Sequence, residues 1–335
     1  MITEETTDKV LKLISSAEKF VLTTHVAPDG DAIGSVIAFS DYLYAKGKQV
    51  EIINHSPTPF NLTFLDKGEK IRVYANDQEA NNELINGADI IFLLDTNEFH
   101  RTKSLEQVLQ NSPAMKICID HHAGIKPEMF NAIVSDTSYA ATCQMLYDFI
   151  KHDSDEYINA EVASALYVGI MTDTGSFRYP RTDSDVFRIC ADLFDKGADP
   201  VFLYDEICNR VSKEMMQLQA AFLGGLEFHF DGQMVLGKVT QADFKKYGLN
   251  VDHIEGFTSL IMSISGVRVG IMMVELRDNI KLSFRSKGNI PANAMAIDYG
   301  GGGHFNAGGA NVYGVTEDEL KPQLIETVKK YIDIT

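Results

Sequence analysis

Histidine and aspartate side chains that could hold metal ions are concentrated in a short stretch, His25–Ala32 (HVAPDGDA). An apolar run at 20–24 precedes it and predicts a buried strand, and an amphipathic run at 33–46 follows it and predicts a helix. The turn between these elements would carry one imidazole and the carboxylates of Asp29 and Asp31. Because the two acids are two residues apart, they can face two different points, which suits a pair of metal ions. Taken alone, the stretch is more typical of an ordinary polar turn.

Three later segments favour the metal site over the ordinary turn. An apolar run at 89–95 ends in Asp95, a second run at 115–120 ends in Asp120 and is followed by two histidines, and a predicted helix leads into Thr172–Gly175. Continuous apolar runs are typical of strands buried on both faces of a parallel sheet, and their alternation with helices predicts a doubly wound α/β domain. In such sheets, ligands bind beyond the carboxyl ends of the strands. The acids and histidines are therefore expected at one edge of the sheet.

Carboxylates and imidazoles together form a hard, mixed set of oxygen and nitrogen donors. That set suits Mn²⁺, with Mg²⁺, Co²⁺ or Zn²⁺ as alternatives. Two such ions about 3.5–4 Å apart can share a hydroxide, lower its pKa and neutralise a phosphate under in-line attack. Such a pair needs carboxylates that bridge the ions. Asp95 and Asp173 are candidates for this role because each lies beside apolar residues at the end of an element.

Length and composition limit the classes of protein. With 335 residues, 45% hydrophobic and 23% charged, the chain is expected to be a soluble globular protein of two domains. It shows no apolar run as long as a membrane span and no signal-peptide pattern, so we expect a cytoplasmic protein without a membrane partner. The formal charge of −17 would repel a long nucleic-acid duplex. A small anionic substrate stays compatible with this charge if metal ions and a few arginines supply local positive charge.

The second half of the chain has a different pattern, with short strands and turns after Gly225. Within it, the segment 265–290 is locally basic although the protein as a whole is acidic. A run of four glycines and a histidine follows at 300–304. Its backbone amides could approach an anion closely, with His304 and Arg285 completing the contact. A flexible surface loop is the alternative for the glycine run considered by itself.

With these motifs the chain resembles the DHH phosphoesterase family, which is named for the triplet Asp120-His121-His122. The four motifs of its catalytic domain occur in order, at His25–Ala32, Asp95–Thr96, Asp120–His122 and Thr172–Gly175. The C-terminal part resembles the DHHA1 domain, through Ser283–Ser286, Gly300–His304 and Ala307–Gly309. Each motif is weak alone, whereas four in order followed by the glycine run are highly specific. The resemblance covers nearly the whole chain.

The resemblance implies roles for individual residues. The implied ligands of one Mn²⁺ are His25, Asp29, Asp95 and Asp173, and those of a second Mn²⁺ are Asp31, Asp95, His121 and Asp173. Asp95 and Asp173 would then bridge the ions. The implied catalytic residues also include His122, which would face the scissile phosphate, and Asp120, which would orient an imidazole of the pair. The implied substrate-binding residues are Arg285, Ser286, Gly301, Gly302, Gly303 and His304.

The expected architecture combines two α/β domains. Residues 1–197 would form the DHH catalytic, metal-binding domain, with a doubly wound and mostly parallel sheet. Residues 198–225 would form a helical linker, and residues 226–335 a smaller DHHA1 substrate-binding domain. By resemblance, the active site would lie in the cleft between the two domains, and a homodimer would form through the catalytic domain.

Size and layout are most similar to the branch that contains nano-RNases, which hydrolyse very short RNAs, and phosphatases of 3′-phosphoadenosine-5′-phosphate (PAP). RecJ-like exonucleases carry an added oligonucleotide-binding fold, family II pyrophosphatases have another C-terminal domain, and alanyl-tRNA synthetases lack the metal motifs. The resemblance therefore implies Mn²⁺-dependent hydrolysis of short oligoribonucleotides to nucleoside monophosphates, of PAP to AMP, or of both. Linear dinucleotides and cyclic di-AMP stay open as substrates, with polyphosphate and a non-catalytic nucleotide sensor as weaker alternatives.

Overall fold

The apolar runs of the first half form one parallel sheet. The computed structural model describes residues 4–254 and 256–332, which divide between Arg210 and Val211 into two units. The strands of the first unit are β1 Lys19–Thr23, β2 Gln49–Asn54, β3 Ile71–Val73, β4 Ile90–Leu94, β5 Met115–Asp120 and β6 Ala132–Ser135. Their order is β3-β2-β1-β4-β5-β6, and every neighbouring pair is parallel. The chain order reverses between β1 and β4, so their carboxyl ends mark the topological switch point.

Helices cover both faces of this sheet. They are α1 Glu4–Ser16, α2 Gly30–Ala45, α3 Gln78–Asn86, α4 Glu106–Asn111, α5 Thr142–Asp153, α6 Ala160–Asp173, α7 Ser184–Asp195 and α8 Pro200–Cys208. Alternate residues of β1 and β4 point to two separate cores. Phe20 and Phe92 pack with residues of α2, α5 and α6, whereas Val21 and Ile91 pack with residues of α3 and α4. The expected doubly wound α/β architecture is confirmed.

Helix α2 begins three residues earlier than the hydrophobic pattern predicts. Asp29 is its N-cap, and the Asp29 side chain accepts hydrogen bonds from the backbone N–H groups of Asp31 and Ala32. This capping brings Gly30 and Asp31 into the first turn of the helix. Asp31 is therefore held on a rigid helix end and not on a mobile turn.

Helices α2 and α6 approach each other closely at three glycines, Gly30, Gly34 and Gly169. We call this contact the α2–α6 seam. A Cβ atom at Gly34 would lie 2.5 Å from the carbonyl oxygen of Ala165. A Cβ atom at Gly169 would lie 2.2 Å from Cys143 Sγ and 2.6 Å from Asp31 Oδ1. Any side chain at these positions would force the helices apart. The seam therefore fixes the distance between the helix that starts near Asp31 and the helix that ends at Asp173.

The second unit contains a mixed sheet. Its strands are β7 Glu227–His229, β8 Met234–Val239, β9 Val269–Glu275, β10 Asn279–Ser286, β11 Gly302–His304 and β12 Ala307–Tyr313, in the order β11-β12-β10-β9-β8-β7. The pair β8–β9 is parallel and the other pairs are antiparallel. Its helices are α9 Lys213–Gly224, α10 Gln241–Tyr247, α11 Phe257–Ser263, α12 Ala292–Ile297 and α13 Glu317–Ile332. Apolar clusters lie on both faces of the sheet.

Short 3-10 helices occupy several of the connections, at Phe60–Leu62, Tyr74–Asn76, Phe99–Leu105, Pro127–Met129, Asp155–Tyr157 and Val251–Ile254. The division between the units falls inside the segment 198–225, with α8 in the first unit and α9 in the second. Among the described residues, no helix is both long enough and apolar enough to cross a membrane.

Candidate functional site

The switch point of the first sheet brings together the acids and histidines that the sequence singles out. His25 and Asp95 follow β1 and β4, Asp120 ends β5, and Asp173 ends α6. Their side chains, with those of neighbouring residues, form three groups whose ligand atoms lie within 4.8 Å of one another. These groups are His25, Asp29 and Asp95; Asp31, His121 and Asp173; and Asp95, His121 and His122. All six predicted metal ligands belong to at least one group.

Asp95 lies at the centre of these groups. Its Oδ2 is 3.3 Å from His25 Nε2, and its Oδ1 is 3.6 Å from His121 Nε2. The backbone of Asp95 has a φ of 58°, a left-handed conformation that aspartate tolerates better than most residues. Burial, with the nearby charges of Asp31 and Asp29, raises the pKa of Asp95 well above its usual range. The two oxygens of one buried carboxylate thus face two different imidazoles, as expected of a bridging ligand.

The imidazoles of His25 and His121 each direct Nε2 towards the carboxylates of the cluster. Nδ1 of His25 is 2.9 Å from the carbonyl oxygen of Val26, and Nδ1 of His121 is 3.2 Å from that of Tyr139. A carbonyl only accepts hydrogen bonds, so each Nδ1 carries the proton and each Nε2 keeps its lone pair. Burial lowers the pKa of both rings, which favours their neutral form. His121 Nε2 is buried and has no hydrogen-bond partner among residues 4–254 and 256–332.

Asp31 is buried and held by the first amides of α5. Its Oδ2 accepts a hydrogen bond of 2.6 Å from the N–H of Thr142, and its Oδ1 accepts one of 2.8 Å from the N–H of Cys143. Burial, with the charge of Asp29, raises the pKa of Asp31 to about 6 despite these bonds. The helix N-terminus fixes the orientation of the carboxylate and partly stabilises its charge.

Asp173 completes the cluster from the end of α6. Its Oδ2 lies 3.2 Å from His121 Nε2, and burial together with the charge of Asp31 raises its pKa to about 6. The carboxylate also lies at a helix C-terminus, where the helix dipole disfavours negative charge. Three carboxylates with raised pKa values and two neutral imidazoles therefore converge on one place. This donor set fits divalent cations, which would satisfy the carboxylates and the free lone pair of His121 together.

Asp120 has a different role from the other acids, because it belongs to none of the three ligand groups found among the described residues. Its Oδ1 accepts a hydrogen bond of 2.7 Å from His122 Nδ1, and its Oδ2 accepts one of 2.7 Å from Asn97 Nδ2. The same Asn97 amide donates to the carbonyl oxygen of His122. Hydrogen bonding to Asp120 raises the pKa of His122. Asp120 thus orients His122, whose Nε2 is left for another partner.

Asn97 and Arg101, neither of them among the predicted metal ligands, lie close to the cluster. The sequence gives no specific signal for Asn97 apart from its position two residues after Asp95. The carbonyl oxygen of Arg101 accepts a hydrogen bond of 2.8 Å from the N–H of Val26. Burial lowers the pKa of His25, and the charge of Arg101 lowers it further, which places that guanidinium near the imidazoles.

In the second unit, Arg285 and His304 share one face of the mixed sheet. Both residues lie opposite Ala307 of the intervening strand, Arg285 from β10 and His304 from β11. Cross-strand partners point to the same side of a sheet, and strands separated by one neighbour are about 10 Å apart. Arg285 is half-buried and His304 is exposed. The two side chains therefore lie on the same side of the sheet.

The other predicted substrate-binding residues differ in their surroundings. Ser286 points to the opposite face, where its hydroxyl donates to the carbonyl oxygen of Ile290 at 2.5 Å and accepts from Asn306 Nδ2 at 3.0 Å. The amide of Gly301 donates to the carbonyl oxygen of Ala296, so it is not available to an anion. Gly302 and Gly303 form the edge strand β11, and a Cβ atom at Gly303 would lie 2.3 Å from the carbonyl oxygen of Ala307. The glycines therefore permit close strand pairing in addition to any contact with a ligand.

Comparisons with known proteins match a different domain in each of the two units. Residues 19–170 match the DHH family, N-terminal domain, and residues 232–333 match the DHHA1 domain. The bifunctional oligoribonuclease and PAP phosphatase NrnA of Thermus thermophilus is 32% identical, over 96% of this chain and 92% of that protein. The protein of the same name from Bacillus subtilis is 26% identical, over 96% of this chain and 98% of that protein.

Among solved structures, an exopolyphosphatase-related protein from Bacteroides fragilis superposes with a TM-score of 0.86 at 30% identity and covers 98% of both chains. The similarity therefore extends through both units and is not limited to the sheet that carries the acid cluster.

Proposed function

The chain belongs to the DHH/DHHA1 family of phosphoesterases and is a hydrolase of phosphoester bonds, and from that premise we propose that it cleaves very short oligoribonucleotides to nucleoside monophosphates and converts PAP to AMP. The names of the NrnA relatives support this choice of substrates. The observation that carries the chemistry is the convergence of Asp31, Asp95 and Asp173 with two neutral imidazoles at the switch point of the sheet.

We further propose that the cluster holds two Mn²⁺ ions. His25, Asp29, Asp95 and Asp173 would hold one ion, and Asp31, Asp95, His121 and Asp173 the other. When bound, such a pair neutralises charge at a phosphate and lowers the pKa of an attacking water. The orphaned lone pair of buried His121 Nε2 and the raised pKa values of the acids support the assignment, because both are relieved by a cation.

His122 and Asp120 would act on the scissile phosphate. The raised pKa of His122 favours the protonated ring, whose Nδ1–H is held by Asp120 and whose Nε2–H is left to donate to a phosphate oxygen. During hydrolysis, an oxygen from water bonds to phosphorus, the bond from phosphorus to the ribose O3′ breaks, and O3′ takes up a proton. A fixed donor on the phosphate stabilises the negative charge that develops there.

The second unit would bind the terminal phosphate of the substrate. Arg285 and His304 share one sheet face and suit a phosphate through charge-assisted hydrogen bonds. The net charge of −17 disfavours a longer RNA, because each additional phosphate without a cation is repelled.

A panel of substrates tests this function. The panel contains 5′-phosphorylated RNAs of two to twenty nucleotides, the same dinucleotide without its 5′-phosphate, PAP, cyclic di-AMP and polyphosphate, each with Mn²⁺ or with EDTA. We expect kcat/KM to fall steeply from dinucleotides to longer RNA, the 5′-phosphate to improve dinucleotide cleavage, and EDTA to abolish turnover. Equal efficiency on short and long RNA would indicate a processive exonuclease, faster turnover of polyphosphate would indicate an exopolyphosphatase, and binding without turnover would indicate a sensor.

A further inference from the structure

The segment that follows Asp173, which we call the 174–182 loop, has an unusual and well-fixed backbone. Gly175, Ser176 and Phe177 are three consecutive residues with positive φ, at 57°, 58° and 65°. The carbonyl oxygen of Thr174 accepts hydrogen bonds from the N–H of Arg178 at 2.9 Å and from that of Tyr179 at 3.0 Å. A left-handed turn containing two non-glycine residues is disfavoured by itself, so the surrounding contacts hold it in place.

The two aromatic residues of this loop have opposite environments. Phe177 is partly buried and contacts the rings of Tyr167 and Phe187, with centroids 6.1 and 5.5 Å away. Tyr179 is 56% exposed, and its ring lies against Gly175: a Cβ atom at Gly175 would lie 2.5 Å from Tyr179 Cζ. No ring of the described residues stacks on Tyr179. The ring is therefore held against the glycine on one side, and more than half of the residue is accessible to solvent.

The loop is also positively charged in an acidic protein. Arg178 Nε donates to the carbonyl oxygen of Gly175 at 2.7 Å, and Arg181 Nη1 donates to that of Tyr139 at 3.4 Å. Neither guanidinium forms an ion pair with an acid in the described part of the chain. The carbonyl oxygen of Tyr139, which contacts Arg181, also accepts a hydrogen bond from His121 Nδ1. The loop and the acid cluster therefore share this hydrogen-bond acceptor. An accessible aromatic ring on a segment whose arginines form no ion pair is typical of surfaces that bind single-stranded nucleic acids.

We propose that Tyr179 is a nucleobase-stacking residue and that it binds the base on the 3′ side of the scissile phosphate. The proposal rests on the proposed function. Tyr179 belongs to the same unit as the acid cluster and lies six residues after Asp173, whereas Arg285 and His304, assigned to the terminal phosphate, belong to the other unit. A dinucleotide carries a nucleoside beyond the scissile phosphate, and PAP carries none. Tyr179 would therefore serve the RNA-degrading activity and not the PAP phosphatase activity.

Substitution of Tyr179 separates the two activities. In Tyr179→Ala we expect KM for a 5′-phosphorylated diadenylate to rise about ten-fold, in line with the usual cost of losing one base–aromatic stack, with kcat nearly unchanged. KM for PAP should stay within about two-fold of the unmodified protein. Tyr179→Phe keeps the aromatic face and should behave as the unmodified protein on both substrates. Tyr204→Ala, at another exposed tyrosine of the first unit, is the matched control.

Two further substrates identify the base. A diadenylate whose 3′ nucleotide lacks its base should be cleaved equally by Tyr179→Ala and the unmodified protein. A diadenylate whose 5′ nucleotide lacks its base should still distinguish them. Equal losses on diadenylate and PAP would overturn the proposal, because Tyr179 would then act by holding the loop beside Asp173. An unchanged KM for diadenylate would overturn it as well.

A binding measurement keeps the proposal testable if the proposed function fails. A dinucleotide with 2-aminopurine as its 3′ base loses fluorescence when that base stacks on a ring. We expect quenching on addition of the unmodified protein and of Tyr179→Phe, and none with Tyr179→Ala. If the unmodified protein hydrolyses neither substrate, the proposed function is wrong, and the quenching then decides the stacking role alone.

Discussion

The two units hold their candidate functional residues in opposite ways. In the first unit, the candidate ligands are mostly buried, and Asp31 and the two imidazoles are each fixed by a backbone group. In the second unit, Arg285 and His304 lie on a sheet face that is partly or fully exposed. The difference fits the task proposed for each unit. Metal ions need several charged groups held close together against their mutual repulsion, whereas a terminal phosphate needs a few cationic groups that stay accessible.

The comparison predicts that the largest effect comes from the centre of the buried cluster. Asp95→Ala removes the carboxylate that faces both His25 and His121. Turnover should fall by more than the roughly 10- to 100-fold that follows from losing a residue that only orients a ligand. The metal content of the purified variant, measured by mass spectrometry, should fall as well. Asp195→Ala, at an exposed aspartate of α7, is the control, and two bound Mn²⁺ with a normal rate in Asp95→Ala would contradict the assignment.

In the second unit, substitution should change substrate affinity and leave the metals in place. Arg285→Ala or His304→Ala should raise KM for 5′-phosphorylated dinucleotides about 10- to 100-fold, the usual cost of a charged hydrogen bond. Bis-p-nitrophenyl phosphate has no terminal phosphate and should be hydrolysed almost normally. Lys281→Ala provides a control on the same face of β10, four residues away. Equal losses on both substrates would show that these residues do not bind the terminal phosphate.

The third prediction compares glycines in the two units. Gly169→Ala inserts a methyl group between Cys143 Sγ and Asp31 Oδ1, so we expect a loss of about 1–3 kcal/mol in the free energy of unfolding, typical of overpacking. Weaker Mn²⁺ binding should accompany it because Asp31 must move. At Gly302, a Cβ atom would meet no described heavy atom within 4 Å, so Gly302→Ala should keep its stability. Thermal melts and metal titrations of both variants test this contrast. Equal stability of Gly169→Ala and Gly302→Ala would contradict the prediction.

The smallest effect concerns the charge of Asp173 in the metal-free protein. Its pKa is raised to about 6 by burial and by Asp31, so its ionised form destabilises the folded state above that pH. Stability from this group is present at low pH and is lost as the pH rises through about 6. In EDTA, Asp173→Asn should therefore melt at a higher temperature than the unmodified protein at pH 8, with the difference narrowing as the pH falls through 6 and closing only below the ordinary aspartate value of 3.8. Excess Mn²⁺ should reverse the order at pH 8, and a difference that does not depend on pH would contradict the raised pKa.

The sequence predicts well which acids and histidines come directly after the strands. It predicts less well which groups hold their side chains in place. The rule for parallel sheets places His25, Asp95 and Asp120 at one edge, and the structure brings them together there. The amides of α5 that hold Asp31 lie more than a hundred residues away in the chain, so no local pattern indicates them. Asn97 is not predicted from the sequence for the same reason, because its contact with Asp120 depends on how β4 and β5 pair.

The glycine run shows another limit of sequence patterns. Four consecutive glycines suggest free amides for an anion, but the pattern cannot show which amides are already used. Gly301 donates to Ala296 within its own unit, and Gly303 allows close pairing with β12. Similarly, alternation along β10 turns Ser286 away from the face of Arg285, which only the strand register reveals.

The contact between Asp31 and the start of α5 makes that helix a spectroscopic reporter. The carboxylate divides its negative charge between the amides of Thr142 and Cys143 and any cation beside it. When a diamagnetic ion such as Mg²⁺ draws on that charge, both hydrogen bonds weaken without breaking, and the two amide proton resonances move upfield. Occupancy of the proposed centre could then be followed by nuclear magnetic resonance at the backbone amides of Thr142 and Cys143, in the absence of any turnover.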